Sequence, residues 1–580
     1  MTRLLFILLA AASVSASAAA QADPTCGPFS RPPCAVMDGV EIERVADIPG
    51  GEFDRRPIRI DRDPTDGALY VLATSQPDGR EIPATSVIYR LDPDGDGGFN
   101  PTQVMDDDDY ETPRPIGMTF GPEGNMYLIG NDEVGETRSR IVIRRGTPTE
   151  DGWDWATVAT SEAYLLSYTY FDHRANGAVV TPDGSTLIVN SGSRTDHGES
   201  YGGVREEPLT AVLLKVPTDA TDLVLPNDRQ QLREGGYIYA EGNRNTFDLA
   251  FAPNGDLIGP DNAGDRDDPG EINWYRQGEH YGFPWRIGGN DTPMQFNPYG
   301  APYGYDGAED DPLVPEACNP NPADTGCYFS TDPGFPAPPD GVTFVEPIPN
   351  LGPYADKFLD PVTGAVRDAS EEGVSITTMS GGRSPQGIVF DTEMALAGRL
   401  QGGGFMLGFA GARGGFPEDG RDLVFLGLNK DDDDNYTASI EAVAIDFVFP
   451  IDAVMADGVI YVAEYGRWFA SQQIRDSRGV FAVRLPRAGT SAEGDPEAAA
   501  SLDVFPNPTS GPITLQYQTA VAAEVRIEMV DALGRTVRTL DAAPGTGRVE
   551  IPTDGLSAGV YVVRMTAGSA QMSRTVTVLR

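Results

Sequence analysis

One phrase recurs through the body of this chain: an apolar strand, a tight turn built on Asp-Gly or Asn-Gly, then a second apolar strand. Asp63-Pro64-Thr65-Asp66-Gly67 leads into ALYVL, Gly121-Pro122-Glu123-Gly124-Asn125 into MYLIG, and Thr181-Pro182-Asp183-Gly184 into STLIVN. Ala252-Pro253-Asn254-Gly255-Asp256 leads into LIGP, a degenerate copy after Val389-Phe390 leads into GFMLGFA, and Ala456-Asp457-Gly458 leads into VIYVAEYG. Each copy carries turn residues at the tip and β-branched or aromatic residues on the arms, the pattern of a β-hairpin. Most copies stand about 57–70 residues apart, enough for a four-stranded blade with long loops. The fourth interval is about twice as long, and its excess lies in the Pro/Gly/Asp-rich stretch 286–380. Six hairpins without a convincing helix between them predict an all-β fold, a six-bladed β-propeller over residues 36–487. A sandwich of irregular hairpins is the alternative.

Five copies have an arginine just before the first strand: Arg56, Arg114, Arg174, Arg244 and Arg383; the sixth has Phe449-Pro450. The innermost strands of a propeller run the same way, so these guanidiniums are expected at one mouth of the central channel. Either each pairs with a carboxylate, or the set binds an anionic ligand there.

The three histidines lie in loop phrases. His173 stands in Phe171-Asp172-His173-Arg174, on the Arg-lined rim, where a neighbouring Asp172 would orient a general base. His197 stands in the loop leaving the same hairpin and is evenly balanced between function and structure; His280, in His280-Tyr281-Gly282-Phe283-Pro284-Trp285, is read as structural. The loop Pro260-Asp261-Asn262-Ala263-Gly264-Asp265-Arg266-Asp267-Asp268 offers carboxylates and carbonyls suited to a hard cation, without EF-hand spacing; an acidic solvated loop is the plainer reading.

The formal charge is −44 and the only lysines are Lys215, Lys357 and Lys430. Such a surface repels nucleic acid and anionic membranes, so neither is an expected partner. The first residues carry Arg3, a short apolar run and Ala20-Gln21-Ala22, a secretory signal over 1–22 with the mature chain starting near Asp23. No later segment reads as a membrane span. In an exported chain the close pairs Cys26/Cys34 and Cys318/Cys327 are expected as local disulfides; a zinc site, which lacks C-x-x-C spacing or a nearby His, is the alternative.

Three phrases in series are more specific: RNxxDLAF from Arg244, DNxGxxxDPGEIN from Asp261, and GEHYGFPW from Gly278. With Asp172-His173, Ser191-Gly192-Ser193-Arg194, Ser384-Pro385-Gln386-Gly387 and Phe449-Pro450-Ile451-Asp452, they resemble the glucose/sorbosone dehydrogenases, soluble six-bladed propellers that use pyrroloquinoline quinone (PQQ). The resemblance spans roughly residues 40–487. It implies that His173, with Asp172 beside it, removes the hydroxyl proton at the anomeric carbon while hydride passes to the quinone. It implies that Arg244 polarises the quinone carbonyl, that Asn245 contacts the cofactor, and that the carbonyls of Ala263 and Gly264 bind a calcium ion (Ca2+). Arg114 and Arg383 are the further expected contacts to a tricarboxylate. The sequence departs from the family at Phe449, where an Arg is usual, and at Thr246, where Pro is common. No Lys lies between Gly408 and Gly415, with Arg413 the conceivable substitute.

Beyond Arg487 the composition shifts to a flexible linker, 488–500, and then to about 80 residues of alternating strands, 501–580, suited to a small β-sandwich. Val504-Phe505-Pro506-Asn507-Pro508, Asp531-Ala532-Leu533-Gly534-Arg535 and Leu556-Ser557-Ala558-Gly559-Val560-Tyr561 resemble the type A C-terminal sorting domain of the type IX secretion system. The expected partners are therefore a sugar and that secretion machinery, and the expected location is outside the cell, reached through periplasm and outer membrane. The leading expectation is a PQQ- and calcium-dependent sugar oxidoreductase. The alternatives are a non-catalytic propeller that binds glycan or protein, and a calcium-dependent lactonase-type hydrolase, which needs several inward carboxylates around one metal.

Overall fold

In the computed structural model the described residues are 33–75, 85–169, 171–264, 266–292, 334–360, 363–410, 420–430, 435–466 and 478–488. In the C-terminal part they are 501–505, 509, 511–518, 525–531, 535–543, 547–557, 559–567 and 570–578. The expected signal segment, Cys26, Cys318, Cys327 and Arg413 lie outside them. Cys34, the one described cysteine, is not free. The chain divides into two compact units, Met1–Leu485 and Pro486–Arg580.

The first unit is a six-bladed propeller. Its first three sheets each descend from an inner strand, Arg56–Arg62, Gly117–Phe120 and Ala175–Val180, through three further antiparallel strands. The fourth has three strands among the described residues, Ala250–Phe251, Leu257–Asp261 and Glu271–Tyr275. The fifth starts at Pro385–Phe390, and the sixth at Pro450–Ala456. The hairpin tips need φ > 0, which glycine adopts without a Cβ clash; Gly124 and Gly255 sit at φ 81° and 89°.

Two features of the sheets were not readable as repeats. The outermost strand of the sixth sheet is Glu41–Asp47, which pairs antiparallel with Gly479–Arg484 and so ties the two ends of the propeller chain together. Part of the 286–380 stretch also joins a blade: Pro349–Pro353 runs parallel to Tyr436–Ile445 on the outer edge of the fifth sheet.

Consecutive inner strands pack side by side around the channel. At their waist stand Arg59, Gly117, Gly177, Asp248, Gly387 and Asp452. A Cβ added at Gly117 would meet the Asn176 carbonyl oxygen at 2.1 Å, and one at Gly177 the Phe247 carbonyl oxygen at 2.4 Å. These glycines let neighbouring blades touch backbone to backbone. Arg59 fills the centre, 2% exposed. It donates to the carbonyls of Ile116 (3.0 Å) and Phe247 (2.6 Å), lies 3.8 Å from the centroid of the Phe247 ring, and faces Asp452 at 3.6 Å. The inner-strand carboxylates latch the ring: Asp452 accepts from the Ile60 amide, Asp61 from Phe120 and Asp248 from Ile388, at 2.8–2.9 Å.

Burial raises the pKa of Asp61 to about 6, and of Glu206 and Glu464 to about 7. It raises Asp248 to about 6 against the pull of Arg59, and lifts Asp452 well above the usual carboxylate range. A raised carboxylate pKa means that the folded state holds protons the unfolded chain has released. Its contribution is therefore present below about pH 4 and lost as pH rises toward about 7.

The second unit is a two-sheet β-sandwich. One sheet pairs Ile513–Gln518 with Ser501–Phe505 and Gly547–Ile551; the other has the order Thr536–Ala542, Val525–Asp531, Gly559–Ala567, Ala570–Val578. Leu515, Ile527, Met529, Val563 and Val576 form its core.

Two outcomes follow for chemical or thermal unfolding of the propeller. Its Tm falls as pH rises from about 5 to about 8. Arg59→Met, which strands two buried carboxylates, costs about 3–5 kcal/mol at pH 8 and clearly less at pH 5, where they are protonated.

Candidate active site

Four inner strands carry a register shift at the waist, between Pro57 and Arg59, Ala175 and Ala178, Pro385 and Ile388, and Pro450 and Asp452. Such bulges re-aim side chains, and here Ile58, Gln386 and Ile451 line a cavity of about 910 Å³ on the mouth side. A second cavity of about 350 Å³ lies on the other side, lined by Arg59, Asp61, Asp248 and Asp452. The two share no lining residue, so the Arg59 waist divides the channel.

The larger cavity has two unlike walls. Arg114, Glu133, Asp172 and Arg174 form the charged one; Ile116, Phe247, Phe409 and Tyr465 form the apolar one. Phe449, at the position where the resemblance implies an arginine, packs its ring 5.0 Å from Phe409, and Phe409 lies 6.0 Å from Tyr465. The missing cation is thus replaced by an aromatic cluster.

All five arginines of the predicted rim have a carboxylate partner: Arg56 with Asp54, Arg114 and Arg174 with Glu133, Arg244 with Asp196 and Arg383 with Asp422. Only Arg114 and Arg174 of the five line the cavity; they share Glu133, and Asp172 lines the same wall, so two guanidiniums there stand among two carboxylates. Arg383 is buried, its guanidinium 4.9 Å from the Tyr354 ring centroid.

His173, Arg244 and Asn245 meet at Gly192: a Cβ there would lie 2.6 Å from the His173 Cβ, 3.2 Å from the Arg244 carbonyl and 3.3 Å from Asn245 Oδ1. His173 Nδ1 lies 3.1 Å from both the carbonyl and the hydroxyl of Ser193, and that hydroxyl donates onward to the Thr195 carbonyl. Both oxygens therefore accept, Nδ1 carries the proton, and Nε2 keeps its lone pair. Burial, seconded by the charge of Arg244, pushes the His173 pKa down to about 3.

Ser193, and not Asp172, thus orients the histidine. The Asp172 carboxylate is turned to the Ser167 and Tyr168 amides, both at 2.8 Å. The His173 amide donates back to the Phe171 carbonyl at 2.8 Å, a tight turn about Asp172 that the dipeptide Asp-His could not reveal.

Asn245 lines the cavity at the end of a relay of amides: Asn243 donates to Asn190, Asn190 to Asn176 and Asn176 to Asn245 Oδ1, at 2.6–2.8 Å. Its oxygen is taken, so its NH₂ is the end left for a ligand. Gln386, missed as a site residue, lines the cavity and is 7% exposed; its Oε1 has no hydrogen-bond partner.

Arg244 is engaged by protein oxygens on all three of its nitrogens. It donates to the carbonyls of Asp196 (2.7 Å), Asn262 (3.1 Å) and Ala263 (3.0 Å) and to the Asp196 carboxylate (2.7 Å). The Ala263 carbonyl, expected to bind calcium, therefore already faces a guanidinium, and Gly264 packs on Asp196. A divalent cation does not fit beside that charge. Among the described residues no group of three His, Cys, Asp or Glu is placed to hold a metal. The second cavity has the inward carboxylates a lactonase-type centre needs, but they are latched to backbone amides and answered by Arg59.

Asp196 also reaches His197 Nδ1 at 3.1 Å. Burial lowers the His197 pKa, yet Glu199 and Asp196 outweigh it and raise the value overall. His280 packs against Phe344 and Trp285 and accepts from the Gly282 amide.

Residues 503–579 match the secretion system C-terminal sorting domain, so the C-terminal unit is a sorting domain. No curated protein matches the chain. Among solved structures, the PQQ-bound aldose sugar dehydrogenase of Streptomyces coelicolor is 15% identical, over 78% of this chain and 99% of its own, with TM-score 0.41. The apo form of the soluble aldose sugar dehydrogenase of Escherichia coli gives 13%, 77%, 99% and 0.42. The holo PQQ domain of a Coprinopsis cinerea pyranose dehydrogenase gives 12%, 77%, 96% and 0.44.

With only three histidines, the tautomers can be read by ¹H–¹⁵N NMR. His173 stays neutral and Nδ1-protonated from about pH 5 to about 8, while His197 gains its proton above the usual histidine pKa, near 6.5.

Proposed function

We propose that the propeller is an exported oxidoreductase that oxidises an aldose or related sugar with PQQ as cofactor and His173 as general base. The observation that carries this is His173, its Nδ1 held by Ser193, packed at Gly192 beside Asn245, which lines the cavity while His173 itself does not. The dehydrogenase-like phrases around Arg244 and Asp261 support the same reading.

The cavity suits a flat polyanion. Its volume, its aromatic side at Phe247, Phe409 and Tyr465, and the two guanidiniums sharing Glu133 match a planar tricarboxylate. PQQ, when bound, supplies a two-electron acceptor for hydride. The chain's own part is positional and acid–base. Arg114 and Arg174 hold carboxylates, the Asn245 NH₂ donates, and Gln386 Oε1 accepts. His173 Nε2 takes the hydroxyl proton of the sugar, and Ser193 bears the hydrogen bond from the resulting imidazolium. Arg244 disfavours charge on His173 at rest, so the base is unprotonated at neutral pH. Calcium has no step in this scheme.

The sorting domain supports export through the type IX route, to the cell surface or beyond. Among the described residues no helix is long and apolar enough to cross a membrane. A Cys26–Cys34 disulfide is compatible with that location.

Purified protein mixed with PQQ should bind it and reduce a dye when an aldose is added. His173→Ala should keep PQQ affinity within about threefold and lower kcat by about 10²–10⁴. A variant that turns over normally removes His173 from the role. In the parent the acid limb of kcat/KM should lie below about pH 5, since the base is already neutral above it.

A further inference from the structure

Tyr168 is the one exposed aromatic residue among the large exposed apolar side chains of the described residues, at 61%, and it stands on the rim of the 910 Å³ cavity. Its backbone lies at φ 62°, the left-handed region that a bulky residue avoids. It is held there by built contacts. The buried side of the turn is the Asp172 carboxylate, which accepts from the amides of both Ser167 and Tyr168 at 2.8 Å. Ser167 and Thr169 join hydroxyls at 2.7 Å, and Thr169 accepts from the Phe171 amide at 3.2 Å. An apolar ring turned to water against conformational preference, at the mouth of the largest cavity, is a feature of binding rather than of packing.

We propose that Tyr168 is a specificity residue, the platform on which the C–H face of the sugar ring packs at the cavity mouth, and that Asp172 is the residue that positions it. This rests on the sugar-oxidoreductase reading above. Sugars present a flat apolar face between equatorial hydroxyls, and a tyrosine ring covers that face while its phenol stays in water. Asp172 then serves the reaction by clamping the turn, not by touching His173. Tyr168 stands on the rim of that cavity, where it is placed to govern sugar affinity.

The test uses the full chain and two readouts: calorimetric titration with D-glucose, D-xylose, L-arabinose and a disaccharide before PQQ is added, then dye reduction after it. Tyr168→Ala should weaken sugar binding, and raise KM, by about fivefold or more, with a smaller change in kcat, while Tyr168→Phe keeps the parent's affinity. Tyr168→Gly should raise Tm, by relieving the backbone, and still bind sugar as weakly as Tyr168→Ala. Asp172→Ala should match Tyr168→Ala in KM, and the double variant should be no worse than either. Sugar affinities of Tyr168→Ala within twofold of the parent overturn the proposal, as does a parent that binds no sugar. A fall in kcat for Asp172→Ala at unchanged sugar affinity overturns the positioning role. Sugar binding that depends on Tyr168 without any dye reduction leaves the platform standing and sinks the oxidoreductase reading alone.

Discussion

Arg59 holds four blades at once. It starts on the first inner strand, donates to carbonyls of the second and fourth, and faces the carboxylate of the sixth. A propeller has no core at its axis, since each blade packs on its neighbours and the centre is left as a channel. Here the centre is closed by one cation, two carboxylates and three glycines. The glycines let neighbouring backbones approach more closely than any side chain would allow, and the guanidinium answers charge that burial would otherwise expel. An arginine suits the place better than a lysine. Its planar fork donates in several directions and lies flat on the Phe247 ring, contacts a single ammonium cannot make together.

The candidate site depends on that closure. Because the waist is shut, the mouth-side cavity has a floor, and the bulges beside the waist turn Ile58, Gln386 and Ile451 up into it. Further along the first and sixth inner strands, Asp61 and Asp452 line the cavity on the other side, together with Asp248. The acidic half of the channel is thus kept apart from the half that offers guanidiniums. Without that division an anionic ligand at the mouth would meet Asp61, Asp248 and Asp452.

The repeats were legible because a hairpin writes its turn and its alternation into a few adjacent residues. The strand Glu41–Asp47 was not, since it completes a sheet with residues more than 400 positions away and carries no turn of its own. The same limit applies to the site. The rim arginines and His173 could be named from their place before each inner strand, but their partners could not. Glu133, Asp196 and Asp422 come from strand ends and loops whose approach depends on the closed ring. Asp172 shows the limit most sharply: its sequence neighbour is His173, yet its hydrogen bonds go to Ser167 and Tyr168. Gln386 was visible only as part of a phrase, because the bulge that turns it inward is a property of the paired strand.

Phe449 is the residue at which these threads meet. In a site that relied on a guanidinium at each blade, its presence would remove a ligand contact. In this chain the sixth position joins a cluster of rings with Phe409 and Tyr465, which line the same cavity as the two guanidiniums that share Glu133. A flat anion bound in that cavity, as proposed, would have both cations and aromatic carbon within its lining. The loss of one charge also matters less where Arg244 is spent on protein oxygens and Arg383 on Asp422, since neither was left to contribute. The cavity thus offers fewer free cations than its rim suggests, and rings stand where the sixth would be.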